Sequence, residues 1–377
     1  MDIPLYEQLY NYILQEIRTK RLNSGDRVPS EKEMADQFNV SRITSKKALE
    51  KLNQEGVIKR IRGKGSFVSD LLPDWVIHNQ AAEAIKAPPS TEEDWRMIGF
   101  ITPNFSDEYG ATLLRTIEKK CREQKCHLLI TRTTGSREEE QRAIRLLVNL
   151  GVDGLIVIPI HGEHYNTELL RLVLDGFPVV LADRYWKGIP VCAVYTDNKR
   201  AAQELTAYLI NKGHERIAFL SPPEKNTSAL EERLQGYTMA ITRQGLKFNP
   251  DYCLTSLTST LPSNLYENDS NKDNELLTKF IARNPDVKAF VTAEFSIASY
   301  LMQVLHSLGK PLDQYEVVCF DSANNYLGQP LFTHIRQDEK KIGELAVEHL
   351  IAQLDGLTVP PHTTVDFQIV ERLPPLM

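Results

Sequence analysis

The chain has 377 residues and a formal net charge of −6. This length suggests two or three domains, and no apolar run approaches the length of a membrane span. Residues 1–4 lack the basic and apolar parts of a signal peptide. The cysteines are odd in number, scattered and without a CxxC pair: Cys121, Cys126, Cys192, Cys253 and Cys319. We therefore expect a soluble, cytosolic protein with reduced thiols, and neither a disulfide scaffold nor a zinc site.

Residues 4–21 predict an amphipathic helix. Its apolar side chains share one face: Leu5, Leu9, Tyr12, Ile13 and Ile17. Such a stripe is more typical of a core than of an interface, so we expect this helix to pack against the segment that follows it.

Residues 27–68 carry the pattern of a helix-turn-helix. Apolar positions recur at helical spacing in two segments that are broken at residues 39–41: Met34, Ala35, Phe38, Val40, Ile43, Ala48, Leu49 and Leu52. Ser30 can cap the first helix, with Glu33 as its capping-box partner. Ser41 or Thr44 can cap the second helix. Two short helices joined by a tight turn are therefore predicted.

The second helix is followed by the pattern of a two-stranded wing. Gly56 can end the helix, and the alternating run 57–61 then turns at 63–65 into 66–68. This stretch sets eight cations against Glu50 and Glu55: Arg42, Lys46, Lys47, Lys51, Lys59, Arg60, Arg62 and Lys64. A charge run is usually a solvated surface. Its coincidence with caps, turn and wing favours a surface that neutralises DNA phosphates beside a groove.

This segment resembles the winged helix-turn-helix of GntR-type bacterial regulators. The matching stretches are Pro29-Ser30-Glu31, Glu33-Met34-Ala35, Phe38, Val40-Ser41-Arg42, Thr44, Ala48-Leu49, Leu52, Glu55-Gly56, Ile58 and Gly63-Lys64-Gly65-Ser66-Phe67-Val68. The family usually has an apolar residue and then Arg after the Thr, where this chain has Ser45 and Lys46. Because Lys is a point charge, a bidentate guanine contact from Lys46 is less favoured.

The resemblance also implies which residues meet double-stranded operator DNA. Arg42, Thr44 and Lys46 are expected at base edges or nearby phosphates, whereas Lys32, Lys47 and the wing are expected to hold the DNA backbone. The full candidate DNA-binding set is Lys32, Ser41, Arg42, Thr44, Lys46, Lys47, Arg62, Gly63 and Lys64.

Beyond the wing, the composition predicts a linker over residues 70–95. It contains Pro73, Pro88 and Pro89 and a polar run at 90–94. We therefore interpret residues 1–69 as a separate DNA-binding domain.

From residue 96 the chain alternates short apolar runs with helical patterns. Strands are predicted at 97–101, 127–130, 154–158, 178–182, 217–220, 289–292 and 317–320. Helices are predicted at 108–124, 138–150, 167–174, 200–211, 230–244, 274–282 and 297–308. Strands buried on both faces and separated by helices indicate right-handed βαβ units in parallel sheets. The simplest packing of the two series is two lobes that face each other across a cleft.

Residues 96–377 resemble the effector-binding domain of LacI-type repressors, which is itself similar to periplasmic sugar-binding proteins. The matching stretches are Ile98-Gly99-Phe100-Ile101, Leu113-Leu114-Arg115-Thr116-Ile117-Glu118, Val152-Asp153-Gly154-Leu155-Ile156, Pro178-Val179-Val180-Leu181-Ala182-Asp183-Arg184, Asp197-Asn198, Gly213-His214, Ile217, Arg233, Gly236-Tyr237 and Ile335-Arg336-Gln337-Asp338. The resemblance implies an α/β fold: an N-terminal winged helix-turn-helix plus a two-lobed, periplasmic-binding-protein-like domain. A GntR head on a LacI-type body is similar to the arabinose-operon repressors of Gram-positive bacteria, and the linker takes the place of the LacI hinge helix.

Candidate effector-binding residues follow the strands, because ligands of such sheets bind at the strands' carboxyl ends. Strand ends and family resemblance together single out Tyr109, Asp183, Arg184, Arg233, Glu294, Asp321 and Gln337. Such a mixture of carboxylates, guanidinium groups, an amide and an aromatic ring suits a sugar. There are alternatives for several of them. Asp183 and Arg184 can form an internal ion pair, Tyr109 can pack at a helix start, and Asp321 can cap a helix.

Two strand ends depart from the family pattern. The family usually has Asn-Asp where this chain has Ala293-Glu294, and Asp-Asp where it has Asp321-Ser322. We therefore do not infer from the resemblance that this chain binds the family's common ligands. Residues 252–274 also look like an inserted loop that is rich in Ser, Thr and Asn.

We expect no cofactor, no metal ion and no catalytic residue. The chain has no P-loop, dinucleotide fingerprint or nucleophile elbow. The run His161-Gly162-Glu163-His164 lacks the HExxH spacing and is better interpreted as a surface loop.

The favoured hypothesis is a homodimeric repressor of carbohydrate-utilisation genes that a sugar releases from operator DNA. The alternative is a GntR-type regulator with an enzyme-derived body that responds to a non-sugar metabolite. That alternative requires a cofactor lysine in an aminotransferase-like context, which we do not find. A sugar carrier is disfavoured by the DNA-binding head and by the start of the chain.

Overall fold

In a computed structural model the chain forms two compact units, one within residues 1–93 and one within residues 94–377. We call them the head and the body. The structure describes residues 5–18, 21–38, 40–61, 64–73, 76, 95–162, 165–264 and 270–372. Most of the predicted linker, namely 74–75 and 77–94, lies outside this set. No helix among the described residues combines the length and apolarity that a membrane crossing requires.

The head has three helices and three short strands in the part of the chain described. They are α1 (Leu5–Arg18), β1 (Arg27–Val28), α2 (Glu31–Phe38), α3 (Arg42–Gln54), β2 (Ile58–Ile61) and β3 (Gly65–Val68). The strands form an antiparallel sheet in the order β1-β3-β2. The prediction of a two-stranded wing missed β1, because a strand of two residues is too short to show alternation.

The caps that the sequence predicts for α2 and α3 are confirmed. The Glu33 amide donates to the Ser30 hydroxyl at 3.2 Å, and the Ser30 amide donates to the Glu33 carboxylate at 2.6 Å. This reciprocal pair is a capping box. Of the two candidates for α3, Ser41 is the cap, since its hydroxyl accepts from the Thr44 amide at 3.1 Å.

The head core comes from all three helices and the wing. Its buried members include Leu9, Ile13, Met34, Leu49, Leu52, Ile58 and Val68. Two residues expected in this core are exposed instead: Leu5 is 56% and Ile43 is 80% exposed. Ser45 is fully buried although it is polar. The face of α3 that packs into the head core therefore includes Ser45 and excludes Ile43, unlike the face that the apolar pattern of the sequence predicted.

The body has eight helices and twelve strands among its described residues. The strands are β4 (Arg96–Thr102), β5 (Cys126–Arg132), β6 (Gly154–Val157), β7 (Val179–Ala182), β8 (Cys192–Thr196), β9 (Ile217–Leu220), β10 (Cys253–Leu254), β11 (Ala289–Thr292), β12 (Glu316–Phe320), β13 (Thr333–Gln337), β14 (His362–Val365) and β15 (Phe367–Val370). The helices are α4 (Ala111–Glu123), α5 (Arg137–Asn149), α6 (Thr167–Leu174), α7 (Asn198–Asn211), α8 (Ser228–Arg243), α9 (Ser270–Arg283), α10 (Phe295–Ser307) and α11 (Glu339–Leu354).

Two six-stranded sheets define the two lobes of the body. Lobe 1 has the strand order β14-β8-β7-β6-β4-β5 and is entirely parallel. Lobe 2 has the order β10-β9-β11-β12-β13-β15 and is parallel except for β15. The expected two-lobed α/β architecture is therefore confirmed.

Each sheet is covered by helices on both faces. In lobe 1, Ile98 of β4 packs with α4 and α11 on one face, and Ile101 packs with α5 on the other. In lobe 2, Ala218 of β9 packs with α9 and α10, and Phe219 packs with α7 and α8. This double burial explains why the strands are continuous apolar runs.

The chain passes between the lobes after β8, after β13 and between β14 and β15. The elements around these crossings, namely β8, β13, β14, β15 and α11, were not predicted. α11 has a regular helical repeat, Ile342, Ala346 and Leu350, that could have been found in the sequence. The pairings of β14 and β15 could not have been found in this way. A single residue separates the two strands, and yet β14 joins lobe 1 and β15 joins lobe 2.

Candidate functional site

The first candidate surface of the head is the amino-terminal end of α3. Arg42, Lys46 and Lys47 are exposed there. The Thr44 hydroxyl lies 2.8 Å from the Ser41 hydroxyl, so both take part in the cap. An exposed helix start with cations beside free backbone amides attracts phosphate oxygens.

The cations of the head fall into two groups. Arg60 pairs with Glu31 at 3.2 Å, Lys59 pairs with Asp70, and the Lys47 ammonium lies 3.9 Å from the Tyr6 ring centroid. Within the described residues, no ion pair is found for Lys32, Arg42 or Lys64. The free positive charge is therefore smaller than the sequence count suggested, and it lies on α2, α3 and the wing. Arg62 and Gly63, which were predicted at the wing tip, lie outside the described residues.

Ser45 stands where the family usually has an apolar residue. It is buried, and its hydroxyl donates to the Glu31 carbonyl of α2 at 2.9 Å. This hydrogen bond ties α2 and α3 together. The exposed apolar residue on this part of α3 is Ile43, which the sequence analysis assigned to the core. An exposed apolar side chain beside Arg42 can contact a thymine methyl group.

The body holds a cavity of about 180 Å³ between its lobes. All seven residues predicted to bind an effector line it: Tyr109, Asp183, Arg184, Arg233, Glu294, Asp321 and Gln337. Lobe 1 contributes the first three from the loops after β4 and β7, and lobe 2 contributes the others. The structure thus brings together residues that are separated by more than 200 positions in the sequence.

On the lobe 1 side, Asp183 organises the wall of the cavity. One of its carboxylate oxygens accepts from the Tyr109 hydroxyl at 2.5 Å, and the other accepts from the Arg184 guanidinium at 3.1 Å. Arg184 also donates to the Pro159 carbonyl at 3.3 Å. The ion pair considered as an alternative therefore exists, and both its members still face the cavity.

On the lobe 2 side, Asp321 has a corresponding place. The Gln337 amide donates to its carboxylate at 2.7 Å. Asp183 and Asp321 both follow a strand and have positive φ angles, 69° and 56°. This backbone conformation is costly for residues other than Gly and is concentrated at functional sites.

Arg233 of α8 is buried at the centre of the cavity wall, with 6% of its surface exposed. Its guanidinium donates to the Asn198 side chain at 2.8 Å and to the Ala293 carbonyl at 2.6 Å. Its flat face lies 3.8 Å from the centroid of the Phe320 ring. Because desolvation of a charge is expensive, these contacts and the surrounding carboxylates are needed to hold it.

Burial changes the ionisation of the acids in the cavity. It raises the pKa of Asp321 to about 7, although Arg233 and Gln337 lower that pKa. It also raises the pKa of Glu294, against the opposing effect of Arg184 and Arg233. For Tyr109, burial and then the charge of Asp183 raise the pKa, so that its hydroxyl stays a donor.

Three residues that support the cavity were missed as site residues by the sequence analysis. Glu339, at the start of α11, accepts from the Gly110 and Leu113 amides at 2.7 and 3.1 Å, and so fixes the start of α4 behind Tyr109. Asn198 holds Arg233, and Phe320 supports its face. Asn198 and Phe320 lie in stretches already marked as family-like or strand, but no sequence signal connected either one with Arg233.

In chemical terms the cavity favours a polyhydroxyl ligand. Four acids line it, Glu108, Asp183, Glu294 and Asp321, against two arginines. Carboxylates accept hydrogen bonds from sugar hydroxyls, and the rings of Phe105, Phe295 and Phe320 supply apolar surface. We find no group of three or more potential metal ligands among the described residues. Of the run His161 to His164, only the first two residues are described.

A helix-turn-helix head and a two-lobed binding body together define a ligand-responsive DNA-binding regulator. Residues 96–362, more than half of the chain, match the family model of periplasmic binding proteins and the sugar-binding domain of the LacI family. The chain belongs to that family. Residues 5–68 match the model of bacterial regulatory proteins of the gntR family. The alternative of an enzyme-derived body is therefore wrong.

Individual relatives agree with these matches. The chain is 26% identical to an arabinose metabolism transcriptional repressor from Geobacillus stearothermophilus over 95% of its own length and 93% of that protein. It is 26% identical to the ribose operon repressor of Escherichia coli over 70% of its length and 76% of that protein.

Solved structures show the same fold. A putative ribose operon repressor from Burkholderia thailandensis superposes with a TM-score of 0.62 and 25% identity, covering 74% of this chain and all of that one. The regulator CelR in complex with cellobiose superposes with a TM-score of 0.63 and 20% identity, covering 92% of this chain and 99% of that one.

Proposed function

We propose that the chain is a repressor of carbohydrate-utilisation genes, and that a sugar bound in the body cavity releases it from operator DNA. The observation that carries this proposal is the single cavity that gathers all seven predicted residues at the strand ends of both lobes. It acts as a regulator with no catalytic step of its own, in the cytoplasm, where operator DNA is accessible.

The sugar that fits best is uncharged. Arg184 is engaged by Asp183 and by the Pro159 carbonyl, and Arg233 is engaged by Asn198 and by the Ala293 carbonyl. Neither guanidinium is therefore available as a full partner for a phosphate, and the acidic lining repels one. Arabinose is the first sugar to try, since the protein from Geobacillus stearothermophilus that covers nearly the whole chain is an arabinose metabolism repressor.

In the head, we propose that Arg42, Thr44, Lys46 and Ile43 meet base edges or nearby phosphates. Lys32, Lys47 and the wing, with Arg62, Gly63 and Lys64, hold the DNA backbone, and Ser41 fixes the start of the recognition helix. Phosphate contacts set the position of the head, while the base contacts of α3 give specificity.

Release follows from linkage between the two sites. We propose a homodimer, whose two heads match half-sites about 34 Å apart or a multiple of this distance. A sugar that contacts both lobes prefers the closed cleft. If the closed and open forms place the heads at different separations, sugar binding must weaken operator binding.

A thermal-shift screen tests the sugar assignment. The panel contains arabinose, ribose, maltose, cellobiose and glucose, together with arabinose 5-phosphate as the charged counterpart of arabinose. A sugar present at 100 times its Kd stabilises the body by about 2.7 kcal/mol, which raises the melting temperature. We expect a rise with an uncharged sugar and none with the phosphate. A panel without any rise contradicts the sugar assignment.

The matched control for this screen is Glu294→Gln. It keeps the shape of a side chain that lines the cavity but removes its charge. If the acidic lining excludes phosphates, this variant should tolerate arabinose 5-phosphate better than the wild type does. Equal responses of the two proteins to the phosphate would show that Glu294 has no part in charge selection.

A further inference from the structure

The inserted loop of lobe 2 contains an ordered turn that we call the strap, residues 258–264. The carboxylate of Asp273, a fully buried residue, accepts from the amides of Thr258 and Ser259 at 2.8 and 2.7 Å. The Asn264 side chain donates back to the Thr258 carbonyl at 3.0 Å. A buried carboxylate that takes two backbone amides holds a loop in one conformation. The strap is therefore a built element rather than a loose insertion.

The strap of lobe 2 lies against lobe 1. Gly135, in the turn after β5 of lobe 1, has a φ of 76°. A Cβ at this position would lie 3.1 Å from the Ser263 amide nitrogen and 3.3 Å from the Pro262 Cβ. Contacts this close mean that the strap and the turn of the other lobe are packed together without a gap. The strap thus bridges the two lobes that must separate when the cleft opens.

The strap also brings a buried hydroxyl close to Glu294, a residue of the effector cavity. The Thr260 hydroxyl oxygen is buried and has no hydrogen-bond partner of standard geometry among the described residues. Burial raises the pKa of the Glu294 carboxyl, and the Thr260 hydroxyl lowers it. Glu294 lines the cavity, and Thr260 is not among the residues that line it. A buried polar group without a partner calls for an explanation, and a role in ligand binding is one.

The groups that face the Glu294 carboxyl come from both lobes. Arg184 of lobe 1 and Arg233 of α8 favour its charged form, and Asp183 of lobe 1 opposes it. Thr260 is the one neutral donor among these groups. A carboxylate has two oxygens and can accept several hydrogen bonds. One oxygen can therefore accept from Thr260 while the other accepts from a sugar hydroxyl.

We propose that the docking of the strap on Gly135 holds the two lobes together when the cleft is closed, and that Thr260 is a positioning residue that orients the Glu294 carboxylate toward the sugar. This inference rests on the proposed sugar-binding function of the cavity. It makes the strap a lobe-bridging part of the closed cleft, and it adds Thr260 to the residues that determine effector affinity.

The first test compares Thr260→Val, which removes the hydroxyl at nearly constant shape, with Thr260→Ser, which keeps it. Arabinose affinity is measured by calorimetry on the full chain between pH 5 and pH 8. We expect Thr260→Val to weaken binding about tenfold at pH 7, and to move the pH dependence upward, because Glu294 loses a donor that favours its charged form. Thr260→Ser should bind arabinose as tightly as the wild type does, with the same pH dependence. A Val variant that matches the wild type across this range overturns the role of Thr260.

The second test concerns the strap and needs no sugar. Gly135→Ala places a methyl group against Ser263 and Pro262, whereas Gly176→Ala has an equal backbone strain, with φ 77°, and nothing described within 4 Å. Amide hydrogen exchange over residues 258–264 is followed in the full chain. We expect faster exchange of the strap in Gly135→Ala and unchanged exchange in Gly176→Ala. Equal exchange in the two variants overturns the docking of the strap on lobe 1.

The two tests separate this inference from the proposed function. A wild-type chain that binds none of the sugars of the panel contradicts the proposed function, and with it the role of Thr260. The exchange experiment still decides whether the strap bridges the lobes.

Discussion

The surface of the head and the cavity of the body achieve recognition in opposite ways. In the head, Lys32, Arg42 and Lys64 are exposed and have no ion pair within the described residues, so they are available to a polyanion. In the cavity, Arg184 and Arg233 are buried or half-buried, and each has partners before any ligand arrives. Exposed cations that are not engaged by other side chains suit long-range attraction to phosphates. A pre-organised pocket suits discrimination between small neutral ligands.

This contrast predicts that the largest effect of a single substitution falls on the cavity. Arg233→Ala leaves Asn198, the Ala293 carbonyl and the nearby carboxylates without their buried partner. Removal of one partner of such a group costs about 3–5 kcal/mol. We expect the free energy of unfolding of the body to fall by this amount, and sugar binding to be lost. Urea denaturation and calorimetry measure the two effects.

The control for Arg233 is Arg171→Ala. The Arg171 side chain is 76% exposed, and its one ion pair among the described residues is an i,i+4 pair with Asp175. We expect a change of no more than about 1 kcal/mol. Similar losses for the two variants would mean that burial of the guanidinium does not distinguish the cavity from the surface.

The second prediction concerns the head. Arg42→Ala should weaken operator binding by about 1–3 kcal/mol, roughly 5- to 150-fold, because an exposed arginine at the start of α3, without an ion pair among the described residues, is lost. Sugar binding should not change, since Arg42 belongs to the head. Fluorescence anisotropy of a labelled operator duplex measures the affinity. Arg21→Ala, which alters a 73% exposed arginine of the same head paired with Glu16, is the control and should bind normally. Unchanged affinity in Arg42→Ala would remove it from the DNA contacts.

The third prediction is a pH dependence of the free energy of unfolding that originates in the cavity. Burial raises the pKa of Asp321 from 3.8 to about 7, so the folded chain binds more protons than the unfolded chain between these values. Its contribution to stability is therefore complete below about pH 4 and is lost as the pH rises toward 7, with a slope of at most about 1.4 kcal/mol per pH unit. Asp321→Asn should lack this slope. Urea denaturation measures the free energy of unfolding of both proteins across this pH range. Parallel curves of this free energy against pH would contradict the prediction.

The fourth and smallest prediction separates two neighbours on α3. Ser45→Ala should destabilise the head by about 1 kcal/mol, since the hydroxyl no longer bonds to the Glu31 carbonyl. Operator affinity of the folded protein should stay the same. Ile43→Ala should leave stability within about 0.5 kcal/mol but weaken operator binding by about 1 kcal/mol, because an exposed apolar contact is lost. A loss of stability in Ile43→Ala with unchanged operator binding would restore the core position that the sequence pattern suggested for Ile43.

The elements that could be predicted from the sequence are those determined by local chemistry. Ser30, Glu33 and Ser41 are caps within one turn of their helices, and their spacing alone is sufficient. Asp183 and Asp321 follow apolar strands, and the rule that ligands bind at strand ends placed both beside one cavity. Local patterns of this kind need no knowledge of the tertiary structure.

The features that the sequence did not predict depend on packing between segments that are distant in the chain. No role was predicted for Ser45, because the carbonyl that it bonds belongs to a different helix, at Glu31. Glu339 was missed because the amides that it caps lie more than 220 residues earlier in the chain. Residues 252–274 were predicted to be one inserted loop, but they include β10 and the start of α9. The contact of the strap with Gly135 crosses between lobes and leaves no periodic trace in the sequence.

We propose above all that sugar binding in the cavity lowers the affinity of the head for operator DNA. A titration of the operator complex with sugar tests this directly. An operator duplex is selected by the purified chain from a random-sequence pool, labelled, and bound at constant protein concentration while arabinose, or the sugar that stabilises the chain most, is added. We predict that the sugar lowers operator affinity at least fivefold in the wild type and has no effect in Arg233→Ala. An operator affinity that stays constant while the same sugar saturates the body would contradict the account.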